Sequence, residues 1–118
     1  MNGDSAAHYL WEVNQANNAT VAGTSSGAAV AFIQIGTVCA ASATADYWSS
    51  GSFIVDQGSA SMFPTAQGTA TAYASTTNMW SGVYAGQYLN AGAVTSITLQ
   101  GATGSFIAGS QFSIYALQ

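Results

Sequence analysis

Side chains that commonly catalyse reactions or bind metals are few in this sequence. The candidates are one histidine, one cysteine and four carboxylates: His8, Cys39, Asp4, Glu12, Asp46 and Asp56. A Ser-His-Asp triad would have to be built on His8, and no pattern selects a serine or carboxylate partner for it. Asp46 and Asp56 could form the carboxylate pair of a glycosidase, but no neighbouring residues support that chemistry. Because the spacing does not match a metal site either, we predict no enzyme, no metal and no cofactor.

Aromatic side chains are the remaining candidates for binding. Tyr47, Trp48 and Trp80 could form a surface on which sugar rings stack. Aromatic residues at strand-like spacing more commonly pack in cores and subunit interfaces. Cys39, in the apolar stretch 37–41, is interpreted as a small buried side chain rather than a reactive thiol. The residues predicted to form a covered subunit interface are His8, Tyr9, Trp11, Tyr84 and Tyr88.

The charge pattern excludes several classes of partner. The chain has no Lys and no Arg, and its formal net charge is −4. Phosphate groups cannot be neutralised without basic side chains, so we predict no nucleic-acid partner and no attraction to anionic membranes. The longest apolar run, residues 28–33, is too short for a membrane-spanning helix. Partners must therefore be held by apolar burial and neutral hydrogen bonds, which salt screens little.

The elements that must position these residues are predicted to be short strands. Apolar and polar residues alternate with period two, and glycine-rich or serine-rich turns, including 22–27, separate the alternating segments. The predicted strands are residues 8–13, 28–35, 52–56, 69–75, 80–88, 93–100 and 111–117. This pattern predicts one all-β domain over residues 1–118, an antiparallel two-sheet sandwich of jelly-roll-like form.

The large apolar residues of these strands are expected to form the core. They are Trp11, Phe32, Ile35, Phe53, Val55, Ile97, Leu99, Phe112 and Ile114. Phe112 and Ile114 lie in the last predicted strand. If that strand is buried, Phe112→Ala should cost about 3–5 kcal/mol and removal of the last seven residues should prevent folding.

The C-terminal third carries a recognisable pattern. Residues 96–99 read SITL, and residues 106–115 read F-x-A-G-S-x-F-S-x-Y. The segment from residue 80 to the end resembles the C-terminal domain found in many tailed-bacteriophage virion proteins. Ala116 departs from that family, which usually has glycine there, so no glycine-only backbone conformation is required at this position. The resemblance implies a jelly-roll-like sandwich in a phage particle, often as a trimer.

Two roles in a virion are compatible with this resemblance. Little sequence precedes the first predicted strand, which favours a compact capsid decoration (cement) protein over a fibre with a long shaft. The expected partners are then further copies in a homotrimer and the major capsid protein, at the capsid surface, with His8, Tyr9, Trp11, Tyr84 and Tyr88 covered. The alternative is a tail-fibre or adhesin-tip protein that binds a host glycan through Tyr47, Trp48 and Trp80.

Overall fold

A single antiparallel sheet organises the chain. The computed structural model describes residues 1–18, 20–39, 48–57, 59, 61–75, 77–101, 106 and 108–116. The strands are β1 (Tyr9–Asn17), β2 (Thr20–Val30), β3 (Ser49–Asp56), β4 (Thr65–Ser75) and β5 (Asn78–Tyr88). They form one open five-stranded sheet in the order β2-β1-β5-β4-β3. The described residues contain no helix, so the prediction of an all-β chain is confirmed.

Most strand predictions are confirmed, and three are corrected. β1, β3, β4 and β5 contain the predicted segments almost entirely, whereas β2 runs through 22–27, which was predicted to be a turn. An antiparallel partner explains β2, because its small residues pair with β1, as in Trp11↔Gly27. The predicted strand 28–35 ends at Val30. Residues 93–100 and the described part of 111–117 are not strands, although both have the same alternation.

The sheet has one covered and one exposed face. Along β4, Ala66, Ala70 and Ala72 are buried, whereas Gln67 and Thr69 between them are exposed. The strand registers place the buried side chains Tyr9, Val13, Tyr84 and Tyr88 on the same side as these alanines. We call this side the inner face and the opposite side the outer face.

Residues 31–39, the crossing segment, cover part of the inner face as they leave β2. A Cβ atom at Gly86 would overlap the Ile33 side chain, and one at Gly36 would lie 3.0 Å from the Ala70 Cβ. The Thr37 hydroxyl lies 2.9 Å from the Tyr84 hydroxyl. Glycine at these points therefore lets a connecting segment lie directly on the sheet.

The predicted core is largely wrong, because small residues and tyrosines form the observed one. The buried apolar residues are Tyr9, Val13, Ala66, Ala70, Ala72, Tyr84 and Tyr88. Of the predicted core residues, the half-buried ones are Trp11, Ile35, Phe53, Val55 and Leu99. The exposed ones are Phe32, Ile97, Phe112 and Ile114. Inner-face positions of β4 and β5 are mostly Gly or Ala, which leaves space for large side chains, as where the Tyr84 ring lies close to Gly82.

The two hairpin turns meet at one end of the sheet. Asn18 lies between β1 and β2 with a left-handed φ of 54°. Its side-chain amide donates to the Thr77 carbonyl at 2.5 Å, and its side-chain oxygen accepts from the Met79 amide at 2.8 Å. One asparagine therefore joins the β1–β2 turn to the β4–β5 turn and fixes the register of the central strands.

Candidate functional site

Asp4 is the centre of a polar cluster at the opposite end of the sheet. One carboxylate oxygen accepts from the Ala6 amide at 2.8 Å. The other lies 2.7 Å from His8 Nδ1 and accepts from the Tyr88 hydroxyl at 2.9 Å. These hydrogen bonds, from His8 first and then from Ala6 and Tyr88, lower the pKa of Asp4 from 3.8 to about 2. Asp4 is therefore held as a carboxylate in almost all conditions.

Two tyrosines complete the cluster. The Tyr9 and Tyr88 rings stack with centroids 4.9 Å apart, and the Tyr9 hydroxyl lies 2.9 Å from the Asp4 carbonyl. Burial raises the pKa of both phenols, and the Asp4 charge adds to the effect. Each buried ring thus has a partner for its hydroxyl. The arrangement ties the segment before β1 to the end of β5.

The chemistry available to this cluster is limited. Asp4 contacts His8 Nδ1 as the carboxylate of a triad would, but among the described residues no Ser, Thr or Cys side chain bonds the other ring nitrogen of His8, where a triad has its nucleophile. Within the described part of the chain, no group of three His, Cys, Asp or Glu could hold a metal ion. Cys39 is half-buried rather than buried, and its thiol lies 2.7 Å from the Tyr73 carbonyl. The cluster is best explained as an anchor.

The predicted interface residues lie on or beside the inner face. Tyr9, Tyr84 and Tyr88 are buried by the chain itself, while His8 is exposed and Trp11 is half-buried. The Trp11 indole lies over Gly27, and its N–H has no hydrogen-bond partner among the described residues. In the single chain, only His8 and part of Trp11 can still be covered by another subunit. Their role in an interface stays a prediction.

A second candidate surface is aromatic and lies on the outer face. Trp48 and Tyr73 are both exposed, with ring centroids 5.9 Å apart at 43°. Trp80 is paired with Ala72 and belongs to the inner face, so it does not share a surface with Trp48. Tyr47 lies outside the described residues. Tyr73 was missed because only the register between β3 and β4 brings it beside Trp48.

A third candidate surface is apolar. In the C-terminal segment, residues 108–116, the exposed fractions are 55% for Phe112, 82% for Ile114 and 81% for Tyr115. Phe112 packs edge-to-face against Phe106 at 4.9 Å. The prediction that Phe112 and Ile114 are buried in a final strand is therefore wrong for the single chain. Exposed large side chains at this density make the segment a candidate contact surface.

Comparisons with protein-family models, with curated proteins and with solved structures find no match to this chain. No helix in the described part of the chain has the length and hydropathy needed to cross a membrane. Function has therefore to be argued from the three surfaces: the Asp4 cluster, the Trp48–Tyr73 pair and the C-terminal segment.

Proposed function

We propose that this chain is a structural protein of a tailed-bacteriophage virion, a decoration protein that binds the major capsid protein as a homotrimer. The observation that carries the proposal is the exposure of Phe112, Ile114 and Tyr115 in a chain without Lys or Arg. Such a surface favours apolar, protein-protein contacts. The resemblance of residues 96–116 to phage virion domains supports the choice of a capsid as the partner.

We further propose that the sheet is one layer of a jelly-roll-like two-sheet sandwich. Residues 93–96 are already held next to the N-terminal segment, because the Asn2 side-chain oxygen accepts from the Thr95 and Ser96 amides at 2.7 and 3.2 Å. The alternation in 93–100 suits a strand of a second layer that becomes regular in the assembled particle. Slow amide exchange across 93–100 in particles, but not in dilute protein, would support this arrangement.

The proposed role can be tested by adding the protein back to particles. Phage assembled without the gene for this chain should bind the purified protein in many copies per capsid. Particles that carry the added protein should then resist heat or low salt better than particles without it. A stained gel gives the copy number, and a handful of copies confined to the tail would contradict the proposal.

The Trp48–Tyr73 pair favours a second candidate, binding of a host glycan by a tail component. Exposed aromatic rings side by side can stack against sugar rings. Trp48→Ala should then abolish binding on a glycan array. Trp80→Phe, on the inner face, is the matched control and should retain binding. Absence of glycan binding by the unchanged protein removes this candidate.

A further inference from the structure

β3 is an open edge of the sheet. Among the described residues it pairs only with β4, in an unbroken register from Ser49↔Ala72 to Asp56↔Thr65. Natural proteins usually protect such edges with Lys, Pro or a bulge. From residue 49 to residue 55 β3 has no charged residue and no Pro, and its pairing with β4 shows no bulge. In residues 49–55, the backbone groups on the other side of β3 have no strand partner in the described part of the chain and can accept one.

The C-terminal segment has the properties of that missing strand. Residues 111–116 alternate with period two, carry no charge and are exposed in the single chain. Phe112 and Ile114 share one side of the extended backbone, and Ser113 and Tyr115 share the other. The alternating part of the segment, residues 111–116, is slightly shorter than β3, which has eight residues. It can therefore lie along most of β3.

We propose that the C-terminal segment of one copy adds as an extra strand to the β3 edge of a neighbouring copy. This proposal rests on the proposed homotrimer and specifies the contact that would join its subunits. Phe112 and Ile114 of the donor then lie beside the half-buried Phe53 and Val55 on the inner face. Ser113 then lies opposite Ile54, which is 55% exposed on the outer face, and Tyr115 lies diagonally beside Ile54, within reach of a long side chain. Both faces of the added strand thus gain apolar neighbours.

Strand addition of this kind is a head-to-tail contact. Each copy donates one segment and accepts another, so the surfaces in contact differ on the two sides. Such contacts form a closed ring when the rotation between copies permits, and a three-membered ring leaves neither a free segment nor a free β3 edge. The ring also explains how a segment with strand alternation can have no strand partner among the described residues of its own chain.

The acceptor edge is tested with a pair of matched variants. Ile54→Lys places a charge at the β3 edge, where it should block strand addition. Val83→Lys makes the same change on the same outer face, at a side chain that is 60% exposed, but in the central strand β5. Light scattering should show that Ile54→Lys raises the concentration at which the trimer dissociates by at least about tenfold. Val83→Lys should leave that concentration unchanged.

The donor is tested by Ser113→Pro, with Ser113→Ala as its control. Proline removes an amide donor and disfavours strand pairing, and residue 113 lies outside the strands of the single chain. Ser113→Pro should be monomeric where the unchanged protein and Ser113→Ala are trimeric. A mixture of Ile54→Lys and Ser113→Pro chains should form a heterodimer, because one retains the segment and the other retains the edge.

Several outcomes overturn the inference. It is wrong if Ile54→Lys assembles as well as Val83→Lys, if the mixture gives no heterodimer, or if the unchanged protein is monomeric throughout. It is also wrong if Ser113→Pro destabilises the dilute monomer, since the segment would then pair within its own chain. Capsid binding reports on the proposed function independently. If the protein binds capsids but fails these assembly tests, the proposed function stands and only the proposed strand contact is wrong.

Discussion

At the scale of single residues, glycines determine the packing of the inner face as much as large side chains do. The Trp11 indole lies over Gly27, and Ile33 lies against Gly86. The buried Tyr84 ring passes along Gly82, where an added Cβ would come within 3.1 Å of it. Large side chains thus lie directly against glycines on the inner face, and close packing makes each of these contacts sensitive to added volume.

Gly86→Val tests this pairing. The new side chain would overlap Ile33 and approach the Leu10 carbonyl oxygen, since even its Cβ would lie 2.9 Å away. We expect a loss of about 1–3 kcal/mol in the free energy of unfolding, measured with denaturant. Ala85→Val is the control, because Ala85 is exposed on the outer face. Equal stability of the two variants would contradict the close contact with the crossing segment.

The lowered pKa of Asp4 predicts how the stability of the chain depends on pH. Its pKa is about 2 in the folded chain, against an ordinary value of 3.8, so the unfolded chain binds more protons between these two values. Stability contributed by Asp4 is therefore present above about pH 4 and is lost as pH falls towards 2. Asp4→Asn should flatten the pH dependence of thermal unfolding in this window. An unchanged slope in Asp4→Asn would contradict this role of Asp4.

At the scale of elements, the crossing segment is held by a buried polar contact as well as by packing. The Thr37 and Tyr84 hydroxyls are 2.9 Å apart, and Tyr84 is among the most buried side chains of the chain. Removing one partner leaves a buried hydroxyl without a hydrogen bond, which costs more than removing both.

Thr37→Val should therefore lower the free energy of unfolding by about 1–3 kcal/mol. Tyr84→Phe alone should have a cost of the same order. The double variant should lose less than the sum of the two, and the difference measures the hydrogen bond. Strict additivity would show that the two hydroxyls do not interact.

Period-two alternation predicts which segments are able to form strands. It does not predict which other strand each segment pairs with. β1, β3, β4 and β5 were predicted because alternation and β-prone residues coincide there. Residues 22–27 of β2 are predicted to be a turn because they are Ser, Thr, Gly and Ala. They form a strand instead because they pair with β1. The last segment has the same alternation as a strand but no strand partner within the described part of the chain. For the candidate surfaces, Trp48 was predicted, whereas its neighbour Tyr73 depends on strand register.

The exposure of the last segment changes the expected effect of Phe112→Ala. In dilute, monomeric protein this variant should lose at most about 1.5 kcal/mol, chiefly through the edge-to-face contact with Phe106. Tyr84→Ala, which removes a buried ring, should lose about 3–5 kcal/mol. Equal losses in the two variants would mean that Phe112 is buried in the monomer after all.

At the scale of the whole molecule, the missing basic residues decide how copies can meet. The ion pair recorded among the described residues, between Asp4 and His8, lies within one chain. Each chain carries a formal charge of −4, so copies repel one another at low salt. Attraction between them has to come from apolar burial and backbone hydrogen bonds, which salt does not screen.

Raising salt should therefore hold the proposed trimer together rather than dissociate it. Screening first weakens the repulsion between the acidic chains, and strongly excluded salts such as sulfate then strengthen apolar burial. Light scattering across a salt series should show that the protein concentration at which the proposed trimer dissociates falls as salt rises from low to molar levels. Glu12→Gln removes one exposed negative charge and should reduce the dependence at the low-salt end. A trimer that falls apart as salt rises would instead require charge pairing between copies, for which His8 is the single titratable cationic side chain in the sequence.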